Sequence, residues 1–304
     1  MNSNKMIIDE LKKELERVKS NEVNYFVFSY DRSGKINAYK TRINEEIGET
    51  IWNAVSKSIQ SLDPDHLYNY EDSDSADNEY SQLIETKEVP KSAEIIKAIN
   101  ETENMLNNKE LENLSSPKFA IKAGNILGFD SITKKNFMEN KKKFMFLNDE
   151  STFNKIKQMV FLEIPESFSA LYFKDHIVIL RESIFESIFG YREKMMKFLE
   201  DKKELSRKLI SDIDNFITSI QKDSRKARKL YNAYKRDYMK DVTVDDIKKC
   251  VKDFNLDVKF NEENNKIDYK GSNPWHVVKA ISEDFFTGRF SRDNYESHSK
   301  RKMN

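Results

Sequence analysis

The stretch of sequence that decides the fold is residues 191–240, which read YREKMMKFLEDKKELSRKLISDIDNFITSIQKDSRKARKLYNAYKRDYMK. It contains no glycine and no proline, so nothing in it breaks a helix. Apolar residues recur at steps of three and four on both sides of Asp223, which places them on one side of a helix. This apolar seam consists of Leu209, Ile213, Phe216, Ile220, Ala227, Leu230 and Tyr234. An unbroken helix of this length would reach about 75 Å, so the segment either joins two domains or bends. We expect two helices that meet near Asp223.

The second half of this segment is basic. Eight cations stand against two carboxylates: Lys222, Arg225, Lys226, Arg228, Lys229, Lys235, Arg236 and Lys240 against Asp223 and Asp237. Most helical charge runs are solvated surface, and the alternative is a stripe that contacts phosphate groups. One basic helix does not decide between the two.

Composition is typical of a protein that binds partners through charged surfaces. The 304 residues suffice for two domains, and 20 Phe and 13 Tyr supply bulky core side chains. Formal net charge is zero, with 52 basic and 52 acidic side chains, so the chain as a whole is not attracted to polyanions. Residues 63–88 carry nine acidic side chains against Lys87 alone, so acid and base are segregated along the sequence.

Cysteine usage and hydropathy indicate a cytoplasmic protein. Cys250 is the one cysteine, which excludes an intramolecular disulfide and favours a reducing compartment. No apolar run approaches the 18 or so residues that a membrane span needs, and the first 20 residues lack the apolar block of a signal peptide.

The residues before this segment predict an α+β fold with a largely antiparallel sheet. Asn24–Tyr30 and Lys35–Lys40 flank the turn Asp31–Gly34 and form a hairpin, and a second hairpin turns at Lys174-Asp175. Helices are expected at 5–20, 47–62 and from Pro90 to Leu106, and strands also near 67–70, 80–85, 119–123, 144–147, 159–164, 168–173 and 177–180, with a polar loop at 71–78.

The C-terminal residues predict a small helix-hairpin-helix unit. Thr243 caps a helix over 244–254, two strands flank the turn Asn261–Asn265, and Pro274 starts a last helix. We therefore divide the chain into an α+β domain (1–190), a long helical segment (191–240) and a small C-terminal α+β unit (241–304).

The sequence has no motif of a known catalytic or metal centre. The four histidines are scattered singly, and the phosphate loop, the dinucleotide-binding turn and the hydrolase elbow are all missing. Glu163 and Asp175 beside Lys174 could form a metal-dependent nuclease centre, but carboxylates at strand ends are common. We assign no catalytic residue, no metal and no cofactor.

The stretch 281–300, ISEDFFTGRFSRDNYESHSK, is the most distinctive sequence of the chain. An acidic-aromatic helix end is followed by a Thr-Gly turn, a spaced Tyr and a Ser-Lys pair. These residues are Asp284, Phe285, Thr287, Gly288, Tyr295, Ser299 and Lys300. The stretch resembles the ending of the KwaB-like family of the Kiwa anti-phage defence system.

This resemblance implies a non-enzymatic DNA-binding effector of bacterial anti-phage defence. It also implies a cytoplasmic homo-oligomer that acts beside a membrane-embedded partner, which can recruit it to the inner face of the membrane. The candidate DNA contacts are Arg225, Lys226, Arg228, Lys229, Lys235, Arg236, Arg289, Arg292, Lys300 and Arg301. No feature reads base identity, so we expect sequence-nonspecific recognition of DNA backbone and shape.

Two alternatives remain open at this point. One is a metal-dependent nuclease or other nucleic-acid enzyme, and the other is a scaffold that joins proteins through its acidic and basic surfaces. Self-association is expected through part of residues 191–220, although the apolar seam there could equally pack within its own domain.

Overall fold

The computed structural model describes residues 3–18, 22–70, 81–137, 145–147, 153–155, 159–163 and 165–297. The chain forms two compact units. The first comprises Met1–Leu67 and Ser81–Phe189, and the second comprises Tyr68–Tyr80 and Gly190–Asn304. Whether 191–240 and 241–304 behave as separate domains stays a prediction.

The first unit is built on a large, mostly antiparallel sheet, which confirms the predicted α+β class. The strands of the sheet lie in the order β2-β1-β5-β6-β11-β12-β4-β3. Two further antiparallel pairs, β7–β10 and β8–β9, stand outside it. The helices and strands up to Phe189, of which β3 continues past Leu67 into residues of the second unit, are α1 (Ser3–Arg17), β1 (Asn24–Tyr30), β2 (Ile36–Thr41), α2 (Glu45–Gln60), β3 (Leu67–Asn69), β4 (Ser81–Glu85), α3 (Ser92–Glu101), α4 (Asn108–Asn113), β5 (Lys118–Ala123), β6 (Ile126–Ser131), β7 (Lys134–Phe137), β8 (Met145–Leu147), β9 (Phe153–Lys155), β10 (Met159–Leu162), β11 (Ala170–Phe173), β12 (His176–Ile179) and α5 (Glu182–Phe189).

Both predicted hairpins of this unit are confirmed. In the β1–β2 turn, the Asp31 carboxylate accepts hydrogen bonds from the backbone of Ser33 (2.8 Å) and Lys35 (3.0 Å), which closes the turn. In the β11–β12 turn, Lys174 and Asp175 adopt left-handed φ angles of 46° and 61°. Both turns are specified by residues inside them, which is why the sequence alone located them.

The core of the first unit forms where the apolar faces of α1 and α2 pack against the sheet. Ile8, Leu11, Val55 and Ile59 are fully buried in one cluster with Val27 and other strand residues. Burial of each such side chain contributes about 1.5–3 kcal/mol. Their spacing of three or four residues along each helix produces this single buried face.

Strand β6 and helices α4 and α5 were not predicted. Gly128 and Asp130 interrupt the apolar pattern of β6, yet the strand pairs with both β5 and β11. A Cβ atom at Gly128 would lie 2.9 Å from the Phe168 ring, so packing against Phe168 requires glycine in this strand. The predicted polar loop at 71–78 lies outside the described residues.

The second unit is helical, with short hairpins towards its C-terminal end. Its elements are α6 (Tyr191–Lys202), α7 (Glu204–Arg207), α8 (Ile213–Ile220), α9 (Ser224–Lys235), a 3-10 turn (Asp237–Lys240), α10 (Val244–Asp253), β13 (Lys259–Asn261), β14 (Lys266–Asp268), α11 (Pro274–Ile281), β15 (Phe285–Thr287) and β16 (Asn294–Glu296). Within the described ranges, no helix is both long and apolar enough to span a bilayer.

The long helical segment breaks at Asp223, as predicted. The Asp223 carboxylate accepts hydrogen bonds from the backbone of Arg225 (3.1 Å) and Lys226 (3.3 Å) and so caps α9. The expectation of one continuous helix before Asp223 is wrong, because α6, α7 and α8 are separate.

The reason for the break between α7 and α8 is a tertiary contact. Ile210 forms a parallel bridge with Ile267, whose backbone exchanges hydrogen bonds with Leu209 (2.8 Å) and Ser211 (3.1 Å). These backbone groups therefore leave the helical pattern although no residue nearby is a helix breaker.

The apolar seam is buried within the single chain. All seven of its residues are buried, from Leu209 to Tyr234. Helix α9 packs against α6, α8 and α11, so it lies at the centre of the second unit. The seam therefore gives no support of its own to self-association, which stays a prediction.

Candidate nucleic-acid interface

Helix α9 exposes only part of its basic stripe. Arg225 and Lys235 are exposed, and Lys226 and Arg236 are half-buried. Arg228 and Lys229 retain only 8% and 6% of their accessible surface. The expectation of a solvated face is wrong at these two positions, because other helices cover α9 on several sides. A quadruple alanine variant of Arg225, Lys226, Arg228 and Lys229 therefore tests folding as well as binding.

Lys229 forms a buried ion pair. Its Nζ lies 2.5 Å from Oδ2 of Asp284, and the two side chains are 7% and 0% exposed. Asp284 directly precedes β15, so the pair ties α9 to the C-terminal hairpin of the unit. Breaking such a pair leaves a buried charge, which is costly. Its geometry gives Lys229 a structural role.

Helices α9 and α11 bring three cations around one indole ring. The Arg225 guanidinium carbon lies 5.7 Å from the centre of the Trp275 ring, and the ammonium groups of Lys226 and Lys279 lie at 5.0 Å and 5.4 Å. Cations at these distances are attracted to the face of the ring. We call Arg225, Lys226, Trp275 and Lys279 the indole patch.

Local capping positions the indole patch. Asp223 starts α9 and places Arg225 and Lys226 in its first turn, while Asn273 accepts a hydrogen bond from the backbone of Trp275 (3.0 Å) and starts α11. Lys279 follows Trp275 by four residues and so shares its side of the helix.

Two of the three cations also contact carboxylates. The Lys226 ammonium lies 2.9 Å from Asp223, and Lys279 pairs with Glu296 of β16. Burial raises the pKa of Asp223, but hydrogen bonds from the side chain and backbone of Lys226 outweigh it and hold the pKa below its ordinary value. The exposed Arg225 is therefore the cation of the patch best placed to meet a phosphate.

The β15–β16 hairpin carries the other described candidates. Arg289 and Arg292 are exposed in the loop between its strands. The Lys279–Glu296 ion pair connects this hairpin to the indole patch within the second unit. Lys300 and Arg301 lie outside the described residues.

The structure thus brings some of the predicted site residues together and separates others. Arg225 and Lys226 lie together, whereas Lys235 lies over Tyr231, 5.4 Å from the ring centre, towards the other end of α9. The prediction omitted Trp275 and Lys279. Their four-residue spacing next to a helix start was the signal that could have found them.

The residues considered for a nuclease centre do not form one cluster of carboxylates. Lys174 pairs with Glu10 (3.1 Å). Glu163 lines a cavity of about 240 Å³ in which the Asp130 carboxylate lies 2.5 Å from the Arg181 guanidinium. Among the residues that the structure describes, no group of three or more His, Cys, Asp or Glu is placed to hold a metal ion.

A family model matches the chain. The family model described as "Kiwa protein KwaB-like" matches residues 111–289, which is more than half of the chain. The matched residues begin in α4 and end in the loop of the β15–β16 hairpin. No curated protein and no solved structure matches.

Proposed function

Because the chain belongs to the KwaB-like family of Kiwa proteins and is a component of a multi-component anti-phage defence system, we propose that it acts there by binding DNA. The indole patch is the proposed primary contact, and the DNA is bound through its backbone without regard to sequence. The observation that carries this proposal is the grouping of three cations around one indole ring.

Charge distribution supports residues 190–304 of the second unit as the DNA-binding part, whereas residues 68–80 of the same unit carry five acidic side chains and no Lys or Arg. Residues 190–304 contain 27 Lys and Arg against 20 Asp and Glu, and residues 1–189 contain 25 against 32. A chain of zero net charge thus has a basic C-terminal part. At physiological salt the Debye length is about 8 Å, so nearby cations decide phosphate binding more than the total charge does.

The chemistry of the indole patch fits a DNA strand. Lys and Arg side chains neutralise phosphates and release counterions, which supplies most of the affinity of nonspecific binding. The indole ring holds these three cations close together, so that they can meet neighbouring phosphates. The patch contains no bidentate base-reading arrangement, which is consistent with recognition of the backbone.

The test measures affinity for a fluorescent duplex by anisotropy over a salt series. The variant carries Arg225→Gln, Lys226→Gln and Lys279→Gln, substitutions that keep part of each aliphatic stem over the indole ring and remove the charge. The matched control carries Lys13→Gln, Lys57→Gln and Lys97→Gln, three exposed positions on helices of the first unit. Both proteins lose three charges.

We expect the patch variant to bind more weakly at every salt concentration. The slope of log affinity against log salt falls by about 0.9 for each phosphate that the protein no longer neutralises, up to about 2.7 for all three substitutions. The control should keep the wild-type slope. Equal affinity and slope for the patch variant and the wild type would overturn the proposal.

The proposal has three further parts. The protein binds DNA without cutting it, it acts beside a membrane-embedded partner, and it forms a homo-oligomer. Incubation of the protein with plasmid DNA and Mg²⁺ or Mn²⁺ tests the first point, and cleavage would favour the nuclease alternative. Light scattering at micromolar concentration tests self-association, and a monomer mass contradicts it. Failure of every DNA assay would favour the scaffold alternative.

A further inference from the structure

The β15–β16 hairpin presents an apolar ring to solvent at its tip. Phe290 is 93% exposed, which is the largest value among the exposed large hydrophobic side chains of the described residues. Arg289 precedes it and Arg292 follows two residues later, both exposed. A fully solvated aromatic ring contributes little to folding, and its exposure leaves the Phe290 ring face open to a ligand between two guanidinium groups.

The tip that carries Phe290 is held by internal hydrogen bonds. Gly288 donates its backbone N–H to the Asp293 carbonyl (2.8 Å), and Arg292 donates its own to the Gly288 carbonyl (3.0 Å). Ser291 Oγ lies 3.0 Å from the Tyr295 hydroxyl. Arg292 has a left-handed φ of 63°, which residues other than glycine rarely adopt.

A glycine is required where the tip joins β15. A Cβ atom at position 288 would lie 2.5 Å from Ser291 Oγ and 2.7 Å from the Tyr295 ring. The loop is therefore closely packed up to Phe290 and leaves that ring outside.

The base of the hairpin is also anchored. Asn294 donates to the Asp253 carbonyl at the end of α10 (2.9 Å), and Phe285 stacks on Phe254 at 5.6 Å between ring centres. Lys279 of α11 pairs with Glu296. A ring presented from a fixed base loses little conformational entropy when it binds.

A second aromatic surface lies on the same hairpin. Phe286 and Tyr295 are cross-strand partners whose rings stack at 5.4 Å with an interplanar angle of 21°. Both side chains remain nearly half exposed. Three partly or fully exposed rings and two guanidinium groups thus lie on about a dozen residues.

We propose that the β15–β16 hairpin binds unpaired bases of DNA. Phe290 stacks on an extruded or single-stranded base, while Arg289 and Arg292 contact the phosphates on either side of it. The inference rests on the proposed function and deepens it, because Lys279 connects the hairpin to the indole patch. The ligand class is DNA with single-stranded, frayed or overhanging ends.

Nucleobases suit this tip better than lipid does. Phe290 is the one large apolar residue from Thr287 to Asp293, and insertion into a bilayer would carry polar and acidic neighbours to the hydrocarbon boundary. A base needs only one ring face, and every base offers a π surface of its own. Guanidinium groups next to a stacked base meet its flanking phosphates.

The test compares three side chains at position 290. Phe290→Leu keeps an apolar side chain and removes the ring, and Phe290→Trp enlarges the ring and adds a fluorophore. Because the position is exposed, neither substitution should affect folding. The control is Met6→Ala, an exposed apolar position on α1. Binding is measured to oligothymidine and to a blunt duplex.

We expect Phe290→Leu to weaken binding of oligothymidine about 5- to 150-fold, the range for loss of one stacked base, and to leave blunt-duplex binding within about twofold of wild type. Phe290→Trp should bind at least as well as wild type, and its added fluorescence should be quenched by oligothymidine. Met6→Ala should change neither affinity.

Two outcomes would overturn this inference. One is equal oligothymidine affinity for Phe290→Leu and wild type. The other is binding to phosphatidylglycerol–phosphatidylethanolamine vesicles that depends on Phe290 while oligothymidine binding does not. A weakened patch variant with an unaffected Phe290→Leu variant refutes the hairpin alone, whereas an unaffected patch variant refutes the proposed function.

Discussion

Lys229→Met should destabilise the second unit strongly. The substitution keeps a long apolar side chain at this position and leaves the fully buried Asp284 carboxylate without the ammonium that lies 2.5 Å away. Removing one partner of a buried pair costs about 3–5 kcal/mol. With a urea m value of about 2 kcal/mol/M, the unfolding midpoint should fall by about 2 M.

The two tryptophans allow unfolding of the second unit to be measured separately from that of the first. Trp52 lies in α2 of the first unit and Trp275 in α11 of the second. In a Trp52→Phe background, the fluorescence of Trp275 during urea unfolding therefore reports on the second unit. Lys222→Met is the matched control because Lys222 is exposed two residues before α9, and its free energy of unfolding should stay within about 0.5 kcal/mol of that of the parent.

A double-mutant cycle separates the effect of the Lys229–Asp284 charge interaction from the effect of changed side-chain packing. Adding Asp284→Asn to Lys229→Met removes the carboxylate charge that has lost the Lys229 ammonium, so the double variant should recover at least half of the stability lost by the single one. A loss below about 1 kcal/mol for Lys229→Met would refute the expected cost of breaking the buried pair. A double variant whose loss equals the sum of the two single losses would refute the coupling.

Three further variants test local features. Thr243→Ala removes the capping box of α10, in which the Thr243 side chain accepts a hydrogen bond from the backbone of Asp246. The same pair holds the pKa of the Asp246 carboxyl below its ordinary value. The substitution should lower the free energy of unfolding in urea by about 1 kcal/mol, and an unchanged value would contradict the cap. Burial lowers the pKa of Lys118, so the unfolded state binds more protons between that lowered pKa and the ordinary value of 10.5, and the penalty on folding is relieved as pH rises through this interval. Lys118→Met should therefore raise the unfolding midpoint at pH 7 by more than at pH 9.5, and a lower midpoint at pH 7 would contradict this. Gly288→Ala should loosen the hairpin tip, which proteolysis within residues 287–294 would detect as faster cleavage than in wild type.

Features specified by neighbouring residues could be predicted from the sequence. The β1–β2 turn is set by Asp31 and its own backbone contacts, and the start of α10 is set by Thr243 and Asp246. The break at Asp223 belongs to the same class, because its carboxylate caps residues two and three positions later. Such hydrogen bonds require no distant part of the chain.

The candidate site was predictable only in part. Arg225 and Lys226 were found as members of a charge run, but the ring they surround lies about fifty residues later in the sequence, at Trp275. Charge patterns indicate which residues are basic and do not indicate which of them a neighbouring helix covers. Arg228 and Lys229 were for that reason assigned to a solvated face that the fold buries.

The sequence by itself determined the α+β class, the family and the local caps and turns, since each depends on residue types at short spacing. Only the tertiary structure decided where the long helical segment divides before α8, because the Ile210–Ile267 bridge joins residues far apart in the chain. It also decided the role of Lys229. An ammonium group can bind a phosphate when water surrounds it, whereas one that pairs with a buried carboxylate is not accessible to a ligand, and the packing around α9 selects the second case.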